Sequence, residues 1–243
     1  MSMLQSVTRL PNGMIGIAAN HFDGLSHQHR VGSVPAMSQG QTGTIWDIDD
    51  TYYPWSAFDT PGALSVDRSS ASDADKVVLI EGLNPDFYPI TEELTLSAET
   101  GNTTNQPFSR VQNIRMTNGS ATNVGDITAN LGGTAVAQIN AGNGQSLMAI
   151  YTVPRGQTGY LLKGVATCEA GADATGAMHV RYGGQSSFAI GHEFEVSGTG
   201  GEYSYDFIVP LPIPEKSDID VRASVRSNNA RVTAAFCILL EVD

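Results

Sequence analysis

The feature that most constrains the fold is a regular alternation of apolar residues at the end of the sequence. In residues 231–243, every second side chain is apolar, namely Val232, Ala234, Phe236, Ile238, Leu240 and Val242. Side chains alternate between the two faces of a β-strand, so these six share one face and predict a buried sheet surface. The opposite face carries Cys237 and Leu239, which predict contact with a neighbouring subunit or with the N-terminal domain.

Strand patterns follow one another from residue 127 onward. Glycine- and asparagine-rich turns separate predicted strands at residues 127–131, 134–139, 145–153, 159–168, 177–182, 188–196, 203–211, 219–226 and 231–242. Many short strands in so short a stretch predict a jelly-roll-like β-sandwich over residues 123–243. Residues 227–230 predict a two-residue hairpin turn.

The first half of the sequence predicts a smaller β-domain behind an extended arm. Strand patterns at residues 76–82, 90–98 and 108–116 assign residues 44–117 to an N-terminal β-domain, and the small or polar residues 117–122 to a boundary. Residues 1–43 show no sustained period, which predicts an extended arm that is ordered only against a neighbour. No segment predicts a convincing helix. The fold class is therefore all-β, and deleting residues 1–40 is expected to leave the fold intact.

Charge and composition exclude several classes of function. Thirteen basic and twenty-five acidic residues give a net charge of −12, which disfavours binding to nucleic acid. No apolar run approaches the ~20 residues of a membrane helix, so no membrane partner is expected. The first residues lack a signal-peptide pattern, which predicts synthesis in a cytoplasm. Cys168 and Cys237 are expected to be free and reduced.

Two groups of residues are weak candidates for metal binding. His21, His27 and His29 lie within nine residues and could ligate zinc, although polar residues of a solvated arm are the simpler interpretation. Asp47, with the aspartates at 49 and 50, resembles a loose calcium cluster but lacks the glycine and the later glutamate of a calcium loop. No metal site and no cofactor are predicted.

An aromatic segment is the candidate interaction site. Trp46, Tyr52, Tyr53 and Trp55 lie within ten residues, with Phe58 close behind. Such a group can anchor an interface, form a platform for a carbohydrate or plug the end of a sandwich core. With Cys237 and Leu239, the first four residues form the predicted interface set.

Candidate catalytic residues are few, and each has a simpler interpretation. The two cysteines lack a nearby histidine in the sequence and lie in strand patterns. His179 and His192 fall on neighbouring predicted strands, and His192 shares a face with apolar residues. Paired glutamates at 92–93 and at 193 and 195 are typical of solvated strand surfaces more than of a glycosidase pair. The sequence therefore predicts that the protein is not an enzyme.

Several stretches resemble virion proteins of tailed bacteriophages, especially those of marine phages. The resemblance covers nearly all of the chain after residue 43, and its motifs are structural. It lies in residues 44–47 with 53–55, 77–84 with 92–96, 107–111, 123–127, 136–139 with 142–148, 151–161 and 215–222.

The resemblance implies a structural role in the virion. Among such proteins, sandwich or jelly-roll trimers commonly decorate the capsid over local threefold positions. It therefore implies a capsid decoration (cement) protein that forms a homotrimer, binds the major capsid protein and resides on the capsid surface. A head–tail, tail-fibre or baseplate component is the alternative within this class, and a carbohydrate-binding β-sandwich module or a β-sandwich glycan hydrolase would be alternatives of another class.

Overall fold

The computed structural model describes residues 13–19, 21–117, 122–197, 201–226 and 229–243. The chain is nearly all β, and its strands pair in antiparallel sheets, which confirms the predicted all-β class. A short helix, α1 (Gly13–Ala18), precedes the first strand. The strands are β1 Leu25–Met37, β2 Thr42–Thr44, β3 Ser65–Arg68, β4 Val77–Leu83, β5 Pro89–Thr95, β6 Asn102–Thr103, β7 Arg110–Met116, β8 Ile127–Leu131, β9 Thr134–Ile139, β10 Ile150–Thr152, β11 Gln157–Cys168, β12 Ala174–Arg181, β13 Ala189–Val196, β14 Glu202–Ile213, β15 Asp218–Val225 and β16 Ala230–Val242.

Two of the sheets enclose a hydrophobic core built from both ends of the described chain. One sheet has the strand order β1-β16-β11-β14, and the other has the order β10-β15-β12-β13 with β2 also paired to β15. Their inward side chains form one buried cluster, the terminal cluster, drawn from residues 34–45 and 149–240. The predicted face of β16 is confirmed from Val232 to Leu240, whereas Val242 is exposed.

The other two sheets enclose a second core, the central cluster, drawn from residues 46–150. One has the order β6-β3-β8-β9 and the other the order β5-β4-β7. Strands β8 and β9 belong here because β8 pairs with β3, and Ile127 and Ile139 are buried in this cluster. The packing thus changes from one cluster to the other between Met148 and Val153. The predicted boundary at residues 117–122 differs from this changeover, and its positions 118–121 lie outside the described residues.

From residue 13 onward, the N-terminal segment differs from the predicted extended arm, and residues 1–12 and 20 lie outside the described residues. Strand β1 pairs with β16 from Leu25–Glu241 to Val34–Val232, so it is an integral strand of the terminal sheet. The sequence does not predict this strand, because polar residues occupy both of its faces in its first half and no alternation of apolar residues results. Close packing also fixes the strand, since a Cβ on Gly32 would collide with the Ala149 nitrogen and the Ile45 oxygen.

Two local predictions are also wrong. Strands β15 and β16 lie in different sheets and do not pair with each other, so the predicted hairpin between them is wrong, and positions 227 and 228 of its turn lie outside the described residues. Residues 13–18 are helical, and short 3₁₀ turns occur at Trp55–Asp59 and Ala71–Asp73, although no helix was expected. Within the described ranges, no helix is long and apolar enough to cross a membrane.

Candidate functional site

A buried polar site lies where the two clusters meet, around Asp218 at the start of β15. Its carboxylate is 2% exposed and accepts hydrogen bonds from Arg110 Nε at 2.8 Å and Arg110 Nη2 at 3.1 Å. Arg181 Nε donates to the same carboxylate at 2.9 Å, and Thr152 Oγ1 donates at 2.6 Å. Arg110 comes from β7 of the central region, so this ion-pair network joins the two clusters.

Asp220 repeats the arrangement two residues along the same strand. Its buried carboxylate accepts hydrogen bonds from Thr44 Oγ1 at 2.8 Å, Trp55 Nε1 at 3.0 Å and Arg222 Nε at 2.9 Å. The arginines also pack on aromatic rings: Arg222 lies 4.5 Å from the centroid of Phe188. Every oxygen of Asp218 and Asp220 is engaged by a donor, which makes both carboxylates structural anchors and leaves neither free to act as a general base.

The predicted aromatic interface residues occupy different environments. Trp46, Tyr53 and Trp55 are buried inside the chain, where the ring of Tyr53 contacts Trp46 edge-on at 5.1 Å and Trp55 at 4.7 Å. These three rings belong to the buried central cluster, so within this chain they do not form an exposed platform. Tyr52 is exposed and lies against Arg222, with 4.8 Å between the guanidinium carbon and the ring centroid.

Cys237 and Leu239 are covered to different degrees on the outer face of β16. Leu239 is buried within its own chain, beneath Ile17 of α1 and beside Leu25. Cys237 is partly buried and lies 3.1 Å from His29 Nδ1 on the neighbouring strand. Burial raises the pKa of the Cys237 thiol, so it is not an activated nucleophile.

The metal candidates do not converge. His27 and His29 are exposed on one face of β1, and His21 lies before that strand. Among the described residues, no group of three or more histidine, cysteine, aspartate or glutamate side chains is arranged to hold a metal ion.

The three aspartates at 47–50 serve separate local roles. Asp47 is buried and its Oδ2 accepts a hydrogen bond from the Leu147 amide at 2.9 Å. Burial raises the pKa of Asp47 to about 7. Asp49 caps Thr51, and the hydrogen bond from the Ser38 amide lowers the pKa of Asp50.

The residues weighed for catalysis also have structural partners. His192 Nε2 lies 2.5 Å from the hydroxyl of Tyr203, and its ring packs 4.3 Å from that of Tyr205. Burial lowers the pKa of His179. Glu195 forms an exposed ion pair with Arg226 at 3.1 Å. None of these contacts assembles a nucleophile with an oriented base.

An exposed apolar surface on β13 and β14 is the feature that sequence reasoning missed. Leu161 pairs with Leu211 but Lys163 pairs with Asp206, so residues 207–210 bulge out of the ladder. In this bulge Ile208 is 97% exposed and Val209 is 81% exposed. Ile190 on β13 and Tyr205 on β14 are also exposed, at 58% and 41%. These four residues are called the apolar edge surface below, because β13 and β14 are the edge strands of their sheets.

The sequence carried a signal for this surface. The run from Phe207 to Val209 breaks the alternation of a half-buried strand, and Pro210 cannot donate to a ladder. Three consecutive apolar residues before a proline indicate a bulge, and a bulge exposes side chains that a regular strand would bury.

Comparisons with known proteins give only distant likenesses. No protein-family model matches the sequence, and no curated protein is similar to it. Among solved structures, the chain is similar to cowpea mosaic virus empty particles, with 9% identity, a TM-score of 0.20, and coverage of 75% of this chain and 82% of the other. It is also similar to the structure of infectious bursal disease virus, Gx strain, with 9% identity, a TM-score of 0.23, and coverage of 89% of this chain and 70% of the other. A lipoprotein of Bacteroides thetaiotaomicron shows 8% identity, a TM-score of 0.19, and coverage of 89% of this chain and 89% of the other. TM-scores this low carry no argument about function.

Proposed function

We propose that the protein is a structural component of a virus particle, a capsid decoration protein that binds the outside of a phage head as a homotrimer. Its partners would be the major capsid protein and further copies of itself. The resemblance of its motifs to tailed-phage virion proteins supports this role. Those motifs include residues with structural roles. For example, residues 215–222 contain Asp218 and Asp220, whose buried carboxylates anchor neighbouring elements by hydrogen bonds.

The observation that carries the proposal is the apolar edge surface. Single exposed apolar side chains are ordinary on protein surfaces, but neighbouring ones on an edge strand mark a contact site. Ile208 and Val209 are adjacent and almost wholly exposed, and both edge strands offer unpaired backbone groups beside them. Stable interfaces bury about 800 Å² per partner, so this surface would be the centre of a larger contact between copies.

Light scattering after size-exclusion chromatography tests the self-association. We expect the wild-type protein to elute with the mass of a trimer and the double variant Ile208→Ser/Val209→Ser to elute as a monomer. Val124→Ser is the matched control, because Val124 is 59% exposed but lies outside the apolar edge surface. A wild-type monomer at micromolar concentration would overturn the trimer, and an unchanged mass for the double variant would overturn the assigned surface.

Cryo-electron microscopy of purified particles tests the location. A decoration protein appears as many copies spread over the shell at its local threefold positions. Density confined to the tail or to the single vertex that bears it would identify a head–tail or tail component instead.

A further inference from the structure

A polar cleft between the two clusters is lined by Arg30, a partly buried arginine that forms no ion pair with any described residue. The cleft has a volume of about 230 Å³ and is lined by Gln28, Arg30, Glu81, Gln112, Tyr151 and Gln157, among others. Gln28 and Arg30 share one face of β1, whereas Glu81 and Gln112 lie on β4 and β7 of the central sheet. The cleft therefore forms only where the two clusters are packed together. Junctions of this kind are common places for ligands.

The hydrogen-bond partners of Arg30 are neutral. Its Nη2 donates to Gln28 Oε1 at 3.1 Å and to Gln112 Oε1 at 3.4 Å, and its Nη1 donates to the Gln112 carbonyl at 3.4 Å. The guanidinium lies over the ring of Tyr151 at 5.0 Å. Among the described residues, no carboxylate lies within ion-pair distance of Arg30, whereas Arg110, Arg181 and Arg222 all pair with buried aspartates.

Two residues that line this cleft each have a buried polar atom without a hydrogen-bond partner among the described residues. These atoms are Nε of Arg30, which is a donor, and Oε1 of Gln157, which is an acceptor. Burial lowers the pKa of the Arg30 guanidinium, as expected for a charge that lacks a compensating anion. Buried charges in proteins are normally paired, and a carboxylate is the partner that a guanidinium binds best.

The other titratable groups facing Arg30 leave room for such an anion. Tyr151 is buried, and its pKa is raised by that burial, so it stays neutral. Glu81 acts on Arg30 from a distance, but its carboxylate is engaged by Asn113 Nδ2 at 2.9 Å and faces Arg115 Nε at 4.0 Å. The contacts of the Glu81 carboxylate with Asn113 and Arg115, which lie outside the cleft, offset part of its negative charge.

We propose that this cleft binds a carboxylate-bearing ligand, with the Arg30 guanidinium donating to the carboxylate and the Gln157 side-chain amide binding an N–H or O–H group of the same ligand. The carboxylate could belong to a small free acid or to an acidic side chain of a peptide. This binding site goes beyond the proposed structural role and does not depend on it.

Nuclear magnetic resonance titration of the full-length chain tests the proposal. N-acetylglycine is the probe, because it carries a carboxylate and an amide N–H, and N-acetylglycinamide is the matched probe without the charge. We expect N-acetylglycine to shift the Arg30 Nε–H resonance with a Kd on the order of 1 mM, and the amide to leave it unchanged. Equal shifts with both probes, or none with either, would overturn the proposal.

Variants separate the cleft from general effects of the arginine. Arg30→Lys keeps the charge but lacks Nε, so we expect binding at least tenfold weaker. Arg68→Lys is the control, because Arg68 Nε is also buried without a partner but lies outside this cleft. Gln157→Leu is expected to weaken binding severalfold and serves if Arg30→Lys does not fold. Unaltered affinity in both cleft variants would contradict the site.

A blocked tripeptide with a central aspartate distinguishes the two sources of the carboxylate. Tighter binding of the tripeptide than of N-acetylglycine would support an acidic side chain as the natural occupant. Tighter binding of N-acetylglycine would support a small free acid.

Discussion

The terminal cluster is held together by long strand ladders, whereas the central cluster depends on side chains that bind loop backbone. Strands β1 and β16 have 13 residues each and β11 has 12, while no strand of the central sheets exceeds seven. In the central region, Asn102 Nδ2 donates to the carbonyls of Val66 and Ala98. One chain thus stabilises two β-cores by different means, one chiefly through long strand ladders and the other with the help of a few buried polar side chains.

Asp73 shows the second means most clearly. Its buried carboxylate accepts hydrogen bonds from the amides of Val124 and Gly125 and from Lys76 Nζ. Burial by itself would raise the pKa of Asp73, but these donors outweigh it and hold the pKa below its usual range. A single side chain thus fixes a loop that has no ladder.

The largest expected effect comes from removing β1. Deleting residues 1–40 takes an entire strand from the terminal sheet and exposes the β16 edge, so we expect the terminal cluster to unfold. Far-ultraviolet circular dichroism and thermal melting measure the loss. A truncated chain with the wild-type spectrum and melting temperature would mean that β1 is dispensable, as the arm interpretation required.

A point substitution tests the same packing without shortening the chain. Gly32→Ala places a methyl group against the backbone of Ala149 and Ile45, so we expect a large loss of stability. Gly164→Ala is the matched control on β11, because nothing lies within 4 Å of the position that its added methyl group would take. Equal melting temperatures for the two variants would contradict the close approach.

A smaller effect is expected from breaking the ion-pair network that joins the clusters. Asp218→Asn leaves Arg110 and Arg181 without their counter-ion, which should cost about 3–5 kcal/mol of the free energy of unfolding. Asp206→Asn removes the same charge from an exposed pair with Lys163, and about 0–1 kcal/mol is expected. Urea denaturation followed by tryptophan fluorescence measures both. A loss below about 1 kcal/mol for Asp218→Asn would show that the clusters hardly depend on this contact.

The smallest expected effect is a pH dependence that originates at Asp47. The folded state keeps the Asp47 proton up to about pH 7, whereas the unfolded chain releases it near the ordinary pKa of 3.8. The folded state therefore binds more protons between these values, and stability falls as the pH rises through this window. The loss should be on the order of 2–4 kcal/mol.

Asp47→Asn should remove this dependence. The amide oxygen can still accept from Leu147, and the variant should be more stable than wild type above pH 7. Urea denaturation at pH 5 and pH 8 measures the difference. Parallel pH profiles for the two proteins would place the raised pKa elsewhere. Asp49→Asn is the control, because Asp49 is exposed and its carboxylate accepts hydrogen bonds from Thr51 within a turn.

The sequence predicts most strands of the terminal sheets because apolar side chains recur there with the two-residue period of a strand. It placed the bounds of β11 and β16 within two residues. The inward face of β16 is apolar along its length, whereas the buried positions of β11 change from Gly159 and Leu161 to Ala166 and Cys168 across an irregularity of the ladder. It missed β1 because His27 and His29 face solvent while Gln28 and Arg30 face the polar cleft. A strand that carries polar side chains on both faces shows no two-residue alternation of apolar residues, so the sequence does not predict it.

The candidate sites depend on contacts that no local pattern contains. Asp218 and Asp220 share a strand face, which the sequence reveals, but their burial comes from Arg110 and Trp55, more than one hundred residues away. The same holds for the aromatic segment. From the sequence, its rings could anchor an interface or fill a core. The packing of the central sheets shows that Trp46, Tyr53 and Trp55 belong to the core.

The pairing of β1 with β16 has a consequence for the order of events during synthesis. His29 and Cys237 are cross-strand neighbours although 208 residues separate them in the chain. On the ribosome, β1 emerges early and has no partner until β16 has been translated, whereas all residues of the central cluster are made in between. Contacts this distant are slow to form, so the central cluster can fold first and bring the ends of the terminal sheet together. The central cluster thereby acts as an internal template, around which the terminal sheet is completed last.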